Sequence, residues 1–295
     1  MQSIEQAIFA TVAYADIFQY PLTVSEIHRY LTGTKASVNE VQSALATSEL
    51  LDERLSHVSE YYTLAGHEEN LGLRRQRGAI SAQLWPRAVR YGSWIGDLPY
   101  VRMVAVTGSL AVDNASESAD LDYLIVTRPG RLWLTRAMVI LMARMASRRG
   151  DLICPNYFLS ERALVLSDRN LFTAHELAQM VPITGLPVYQ RMRKLNNWVS
   201  DYLPNAGVSF WASTPPPPYL QFLRPAIENA LSLTPFDWLE RWEKERKVKK
   251  FGLRLSESFE ACFNADQCKG HFGNHSLRVQ TAFNERMRAL EEVFA

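Results

Sequence analysis

The stretch that decides the reading is 104-VAVTGSLAVDNASESADLDYLIV-126. It begins as an apolar strand, breaks at Gly108-Ser109, and resumes as a second apolar strand after Asp120 and Asp122. Alternation along a strand puts Asp120 and Asp122 on one face and Leu121 and Tyr123 on the other. Two carboxylates that close raise each other's pKa unless a cation sits between them. A hard divalent ion with oxygen ligands, Mg²⁺ or Mn²⁺, suits such a pair. Upstream, glycine allows close backbone approach, serine adds a hydroxyl, and the first amides of a following short helix form an anion site. The stretch therefore offers a phosphate cradle and, eleven residues later, a metal clamp.

Gly-Ser, a ten-residue spacer, then Asp-Leu-Asp opening an apolar strand resembles the DNA polymerase β-like nucleotidyltransferase superfamily. The resemblance covers residues 100–160. It implies that Gly108 and Ser109 contact the β and γ phosphates of a nucleoside triphosphate and that Asp120 and Asp122 bind Mg²⁺ (or Mn²⁺) and serve catalysis. It also implies a third carboxylate from a neighbouring strand. That strand is 152-LICPNYFLS-160, whose central polar residue is Asn156, an amide. The nearby acids, Asp151, Glu161 and Asp168, lie outside the expected position.

The implied activity is Mg²⁺-dependent transfer of a nucleoside monophosphate from an NTP to a hydroxyl of an unidentified acceptor, a small molecule, a protein or an RNA end. Asn156 supports the alternative, a catalytically weakened nucleotide-binding protein with a regulatory or interaction role.

Upstream, IEQAIFATVAYADIF has helical apolar spacing, and Thr23-Val-Ser-Glu26 and Ser37-Val-Asn-Glu40 are capping boxes that open two further helices. The alternating RLSHVSEYYTL predicts a β-hairpin. Three helices and a wing look like a winged-helix domain over 1–66. This segment carries Arg29, Lys35 and Arg54 against eight acids, a net of −5, and the third helix has no Lys or Arg. Phosphate neutralisation needs basic side chains, which argues against DNA binding. Packing within the chain, a protein partner or self-association through this acidic domain fits better.

Residues 67–98 read as a helical connector with a kink or break at Pro86. A nucleotidyltransferase core spans 99–170: strands RMVAVTG, LDYLIV and LICPNYFLS, a further candidate strand ALVLS, and the apolar helix RLWLTRAMVILMARMA. Residues 171–295 read as a helical region, opened by a capping box at Thr173–Glu176. The expected class is thus α+β: a small mixed-sheet core flanked by a winged-helix domain and a C-terminal helical region.

Within CKGHFGNHSLR, His271, His275 and Arg278 would share a helical face near Lys269, an accessory set for a triphosphate or an acidic acceptor. His175 reads as a first-turn histidine, and Asp113 and Glu117 as a solvated loop. The basic run Arg241 to Arg254 reads as a solvated helix face with Glu–Lys pairing.

A net charge of +1 names no polyanionic partner, and three scattered cysteines with no CxxC pair exclude a thiolate zinc site and a disulfide framework. The apolar run Leu132–Met145 holds Arg136 and Arg144 and is shorter than the ~20 residues of a membrane span. With no basic n-region at the N-terminus, the expectation is a cytoplasmic protein that does not enter membranes.

Overall fold

The computed structural model describes residues 3–207, 223–231, 234–252, 262–270 and 274–294. Helix α1 (Ile4–Asp16) starts at a capping box in which Ser3 and Gln6 exchange side-chain and backbone bonds. Every residue from Ala7 to Asp16 is buried, so this helix has no solvent face over that span. Around it run β1 (Leu22–Thr23), α2 (Val24–Arg29), α3 (Val38–Thr47), α4 (Glu49–Arg54), β2 (Leu55–Val58) and β3 (Tyr61–Leu64). Both predicted capping boxes form, at Thr23 and Ser37. The single helix expected after the box at Ser37 is instead two, because extended Ser48 ends α3 and its side chain caps α4. The hairpin forms, and β1 adds to it in the order β1-β3-β2.

Helix α5 (Asn70–Asp97) runs unbroken through Pro86, contrary to the expected break. Pro86 and Ala82, one turn before it, both lie on the exposed side, so the carbonyl that loses its N–H partner faces water.

The second sheet is built on β4 (Val101–Val106), β5 (Leu121–Thr127) and β6 (Ile153–Ser160). β4 and β5 pair antiparallel across a 3₁₀ turn at Gly108–Val112. β5 and β6 pair parallel, joined by α6 (Leu132–Ser147). Residues 163–167 form no strand; that segment is loop leading to α7 (Leu171–Gln179). Three short strands come from the part expected to be helical. β7 (Val181–Thr184) pairs with β4, and β9 (Gln267–Lys269) pairs with β6 and with β8 (Cys262–Phe263). The sheet order is β7-β4-β5-β6-β9-β8, and its directions are mixed. The remaining helices are α8 (Leu186–Leu195), α9 (Val199–Tyr202), α10 (Arg224–Ala230), α11 (Thr234–Gly252) and α12 (His275–Phe294). The molecule is mixed α+β.

Both faces of this sheet are covered. Val104, Val106, Tyr123 and Ile125 pack toward α5 and α6. Met103, Ala105, Leu124 and Val126 pack toward α7, α8 and α9. Strand parity therefore sends Asp120 and Asp122 to the α7 side, with Leu124. The basic helix α11 is not simply solvated. Glu240 is buried against α6 and accepts from the backbone N–H groups of Trp133 and Leu134 at 3.0 and 2.6 Å, satisfying that helix's first turn. Glu243 is buried too and pairs with Arg246; Arg254 lies outside the described residues. Among the described residues no helix is long and apolar enough to cross a membrane.

Candidate functional site

Gly108 and Asp122 meet at the edge where β4 ends and β5 begins. Gly108 has φ +67°, and a Cβ placed on it would lie 2.5 Å from Asp122 Oδ2. Only glycine meets both demands, left-handed backbone and contact with a carboxylate. The Thr107 N–H donates to the Asp122 carbonyl at 3.0 Å, locking the turn to the second strand.

On the other flank, the register of β6 against β5 slips: Asp122 faces Cys154, but Leu124 faces Tyr157. One extra residue is thus accommodated in β6, a bulge of the kind that re-aims a side chain. Asn156 turns toward Asp122, and its Nδ2 donates to Oδ1 at 2.5 Å. The Cys154 thiol donates in turn to Asn156 Oδ1 at 2.7 Å, which fixes the amide's orientation. Burial and the neighbouring carboxylates of Asp122 and Asp120 push that thiol up to about 12.

Burial, then Glu176, then Asp120 push the Asp122 carboxyl up to about 7, against the bonds from Asn156 and Cys154 that favour its charged form. Glu176, on α7, is pushed up to about 6 by burial, with Lys269 opposing. Burial thus biases both carboxyls toward their protonated forms, which a bound cation would reverse.

These groups open onto a cavity of about 450 Å³. Thr107, Gly108, Ser109, Asp122, Asn156, Glu176 and His275 lie at its polar end. Asp120 is half-buried just before β5 and is not part of the wall; it reaches Asp122 electrostatically. Among the described residues neither lysine nor arginine lines the cavity.

The other predicted residues are spread more widely. Lys269 sits on β9, over the Tyr157 ring, in a smaller recess behind Glu176, and pairs with Asp168 at 3.0 Å. His275 opens α12 and borders both spaces. Arg278 is on α12 with His275, three residues on, but is exposed and lines neither space. His271 lies outside the described residues. Asp151 accepts from Tyr91 and Arg87 at the α5 surface, and Glu161 lies 3.9 Å from Arg102. Neither acid joins the site. Asp113 is exposed, as a loop residue should be, yet it is fixed in place: its backbone is left-handed at φ 55°, and its carboxylate accepts from Trp85 Nε1 at 2.7 Å.

Two residues went unrecognised in the sequence. Thr173 does not cap α7; Asn170 does, accepting from the Thr173 N–H at 2.9 Å. Glu176 is consequently free of the capping role and faces the cavity. His175 is 4% exposed, stacks on Tyr14 with ring centroids 3.9 Å apart, and is held neutral by burial, its pKa lowered to about 3. The legible signal was spacing: Phe172, His175, Glu176 and Gln179 fall at i, i+3, i+4 and i+7, and all line the cavity.

Comparison of the chain with protein families, with curated proteins and with solved structures finds no match. The functional reading therefore rests on the geometry above.

Proposed function

We propose that the chain is a Mg²⁺-dependent nucleotidyltransferase that binds an NTP and moves its nucleoside monophosphate to a hydroxyl of a small-molecule or protein acceptor. The observation that carries this reading is the contact between Gly108 and Asp122. Gly108 and Ser109 from the first motif and Asp122 from the second line one cavity, with Asp120 outside its wall.

The donor set fits a hard divalent ion in chemistry, since Asp120 and Asp122 offer oxygen only. Among the described residues no group of three or more His, Cys, Asp or Glu side chains converges. Such ions are commonly held by one or two carboxylates with phosphate oxygens and water completing the shell. When bound, Mg²⁺ or Mn²⁺ would supply neutralisation of the phosphates and a lowered pKa at the attacking hydroxyl. Gly108 and Ser109 would hold the β and γ phosphates through their N–H groups and the serine hydroxyl. Asn156 orients Asp122 through its amide. Glu176 is the other acid on the wall and stands where the acceptor's proton could be taken. The acceptor oxygen bonds to the α phosphorus, the bond to the bridging oxygen breaks, and pyrophosphate leaves.

The helices and hairpin of residues 1–66 support a winged-helix reading. Helix α3, with Glu40 exposed and no Lys or Arg, suits a structural or protein-binding role better than entry into a DNA groove.

The second reading, a nucleotide-binding regulatory protein with weakened catalysis, is favoured by one bond: Asn156 occupies an oxygen of Asp122 where an acid was expected. Incubation with each α-labelled NTP, Mg²⁺ or Mn²⁺ and cell extract, beside Asp120→Ala/Asp122→Ala, separates the two. Label transfer lost in the variant is the outcome expected of the enzyme. Saturable metal-dependent NTP binding without transfer across a broad acceptor screen supports the regulator. No metal-dependent NTP binding removes both.

A further inference from the structure

The cavity has a second, apolar end, and residues 1–66 build it. They supply seven of the twenty-one described lining residues. Thr11, Tyr14 and Ala15 of α1, continued by Phe18, fall at i, i+3, i+4 and i+7. Phe172, His175, Glu176 and Gln179 of α7 repeat that spacing from the opposite side. Two helices thus turn matching stripes on one space. Tyr30 and Tyr20 close it.

The rings are held in place. Tyr14 lies parallel to His175, at 8° between planes, and Tyr30 tilts against the same imidazole with centroids 5.5 Å apart. Gln179 Nε2 approaches His175 Nδ1 at 3.3 Å and donates to it, which places the imidazole proton on Nε2. That Nε2 is buried and has no hydrogen-bond partner, an exception among buried polar atoms. The N-terminal unit is also pinned to the Gly-Ser turn. Tyr20 donates to the Val112 carbonyl at 2.6 Å, and Asn114 donates to the Phe18 carbonyl at 3.1 Å.

We propose that this aromatic end is the nucleobase pocket, so that the N-terminal domain is a wall of the nucleotide site and reads the base. The inference rests on the nucleotide reading above and adds the location of the ring and the domain that recognises it. Flat bases stack on aromatic side chains, and a base is tethered through ribose to phosphates placed at Gly108 and Ser109. The cavity volume suits a ligand of that size. The charge pattern separates the ends. Among the described lining residues the acids are Asp122 and Glu176 and none is Lys or Arg, so a polyphosphate is favoured there with a cation over the bare anion. The ring end needs none.

The test measures binding to the full chain of three probes: each nucleoside in EDTA, each NTP with Mg²⁺, and inorganic tripolyphosphate with Mg²⁺. At least one nucleoside is expected to bind without metal, and its Mg²⁺-NTP to bind at least about tenfold tighter than Mg²⁺-tripolyphosphate. Phe18→Ala, at a half-buried position, should erase that gain and leave tripolyphosphate affinity unchanged. Ala15→Phe, which fills the space, should abolish nucleoside binding, with the melting temperature reporting that the fold persists. Equal affinity for all NTPs and tripolyphosphate, insensitive to both variants, would overturn the base pocket while leaving the nucleotide reading intact. Failure of every Mg²⁺-phosphate probe to bind would instead overturn the nucleotide reading and the pocket with it.

Discussion

Asp122 concentrates the chemistry of the site in one carboxylate. Its folded pKa is raised, to about 7 against an unfolded 3.8, so the folded state holds the proton more tightly. Stability from this group is greatest below the unfolded value, falls as pH rises from about 4 to 7, and stays low above. Asp122→Asn removes that penalty. It should raise the melting temperature at pH 8 by about 2 °C or more, and change it little at pH 4. Mg²⁺ should raise the melting temperature of the native chain at pH 8 and not that of the variant, which calorimetry reads directly. Gly108→Ala tests the partner residue. The left-handed backbone alone costs about 1–2 kcal/mol for a residue with a Cβ. The added carbon also forces Asp122 away from Asn156, so metal-dependent nucleotide binding should fall at least about tenfold. Unchanged stability and binding would contradict the close approach that leaves a Cβ only 2.5 Å from Asp122 Oδ2.

On helix α7 His175 carries the opposite pH sign, while Glu176 beside it, raised to about 6, carries the same sign as Asp122. His175 is lowered to about 3 from 6.5, so its contribution is complete above pH 6.5 and is lost as pH falls toward 3. His175→Phe keeps a ring against Tyr14 and removes the proton. The native chain's melting temperature minus the variant's should be lower at pH 5 than at pH 7, and a difference equal at both would mean that the histidine is not held neutral. The same helix shows what a sequence reveals at this scale. The boxes at Thr23 and Ser37 were legible because a cap and its partner are three residues apart. The box at Thr173 was misread because Asn170, also three residues ahead of its target, is the cap that forms. The approach of Gly108 to Asp122 was legible because one hairpin joins them. Glu176 was not, since α7 reaches Asp122 only through tertiary packing. Strands β7, β8 and β9 are two to four residues long, too short to show a period of two, and are created by the edges they join.

Helix α1 belongs to the N-terminal unit, and its contacts tie that unit to the rest of the described chain, as expected of packing within the chain. Asp16, at its C-terminal end, has a side chain 2% exposed and lies 2.6 Å from His67 Nδ1 and 2.8 Å from Arg286 Nε. Those partners lie before α5 and on α12, so one carboxylate ties the first helix to the connector and to the last helix. Helix α12 also begins with His275 at the cavity, which couples this junction to the site. Asp16→Asn keeps the shape and removes the charge, leaving a half-buried arginine without its carboxylate. A loss of about 2 kcal/mol is expected, some 5 °C in melting temperature. Because α1 packs on α7 and α12 as well as on its own hairpin, unfolding should remain one transition, coincident by tryptophan fluorescence and circular dichroism. Every tryptophan lies beyond residue 66. A variant in which the circular dichroism transition splits, its early phase silent in fluorescence, would mean that residues 1–66 unfold alone. A wall that unfolds alone could not hold Tyr14 against His175, so the aromatic end of the cavity and the cooperativity of the fold stand on the same contacts.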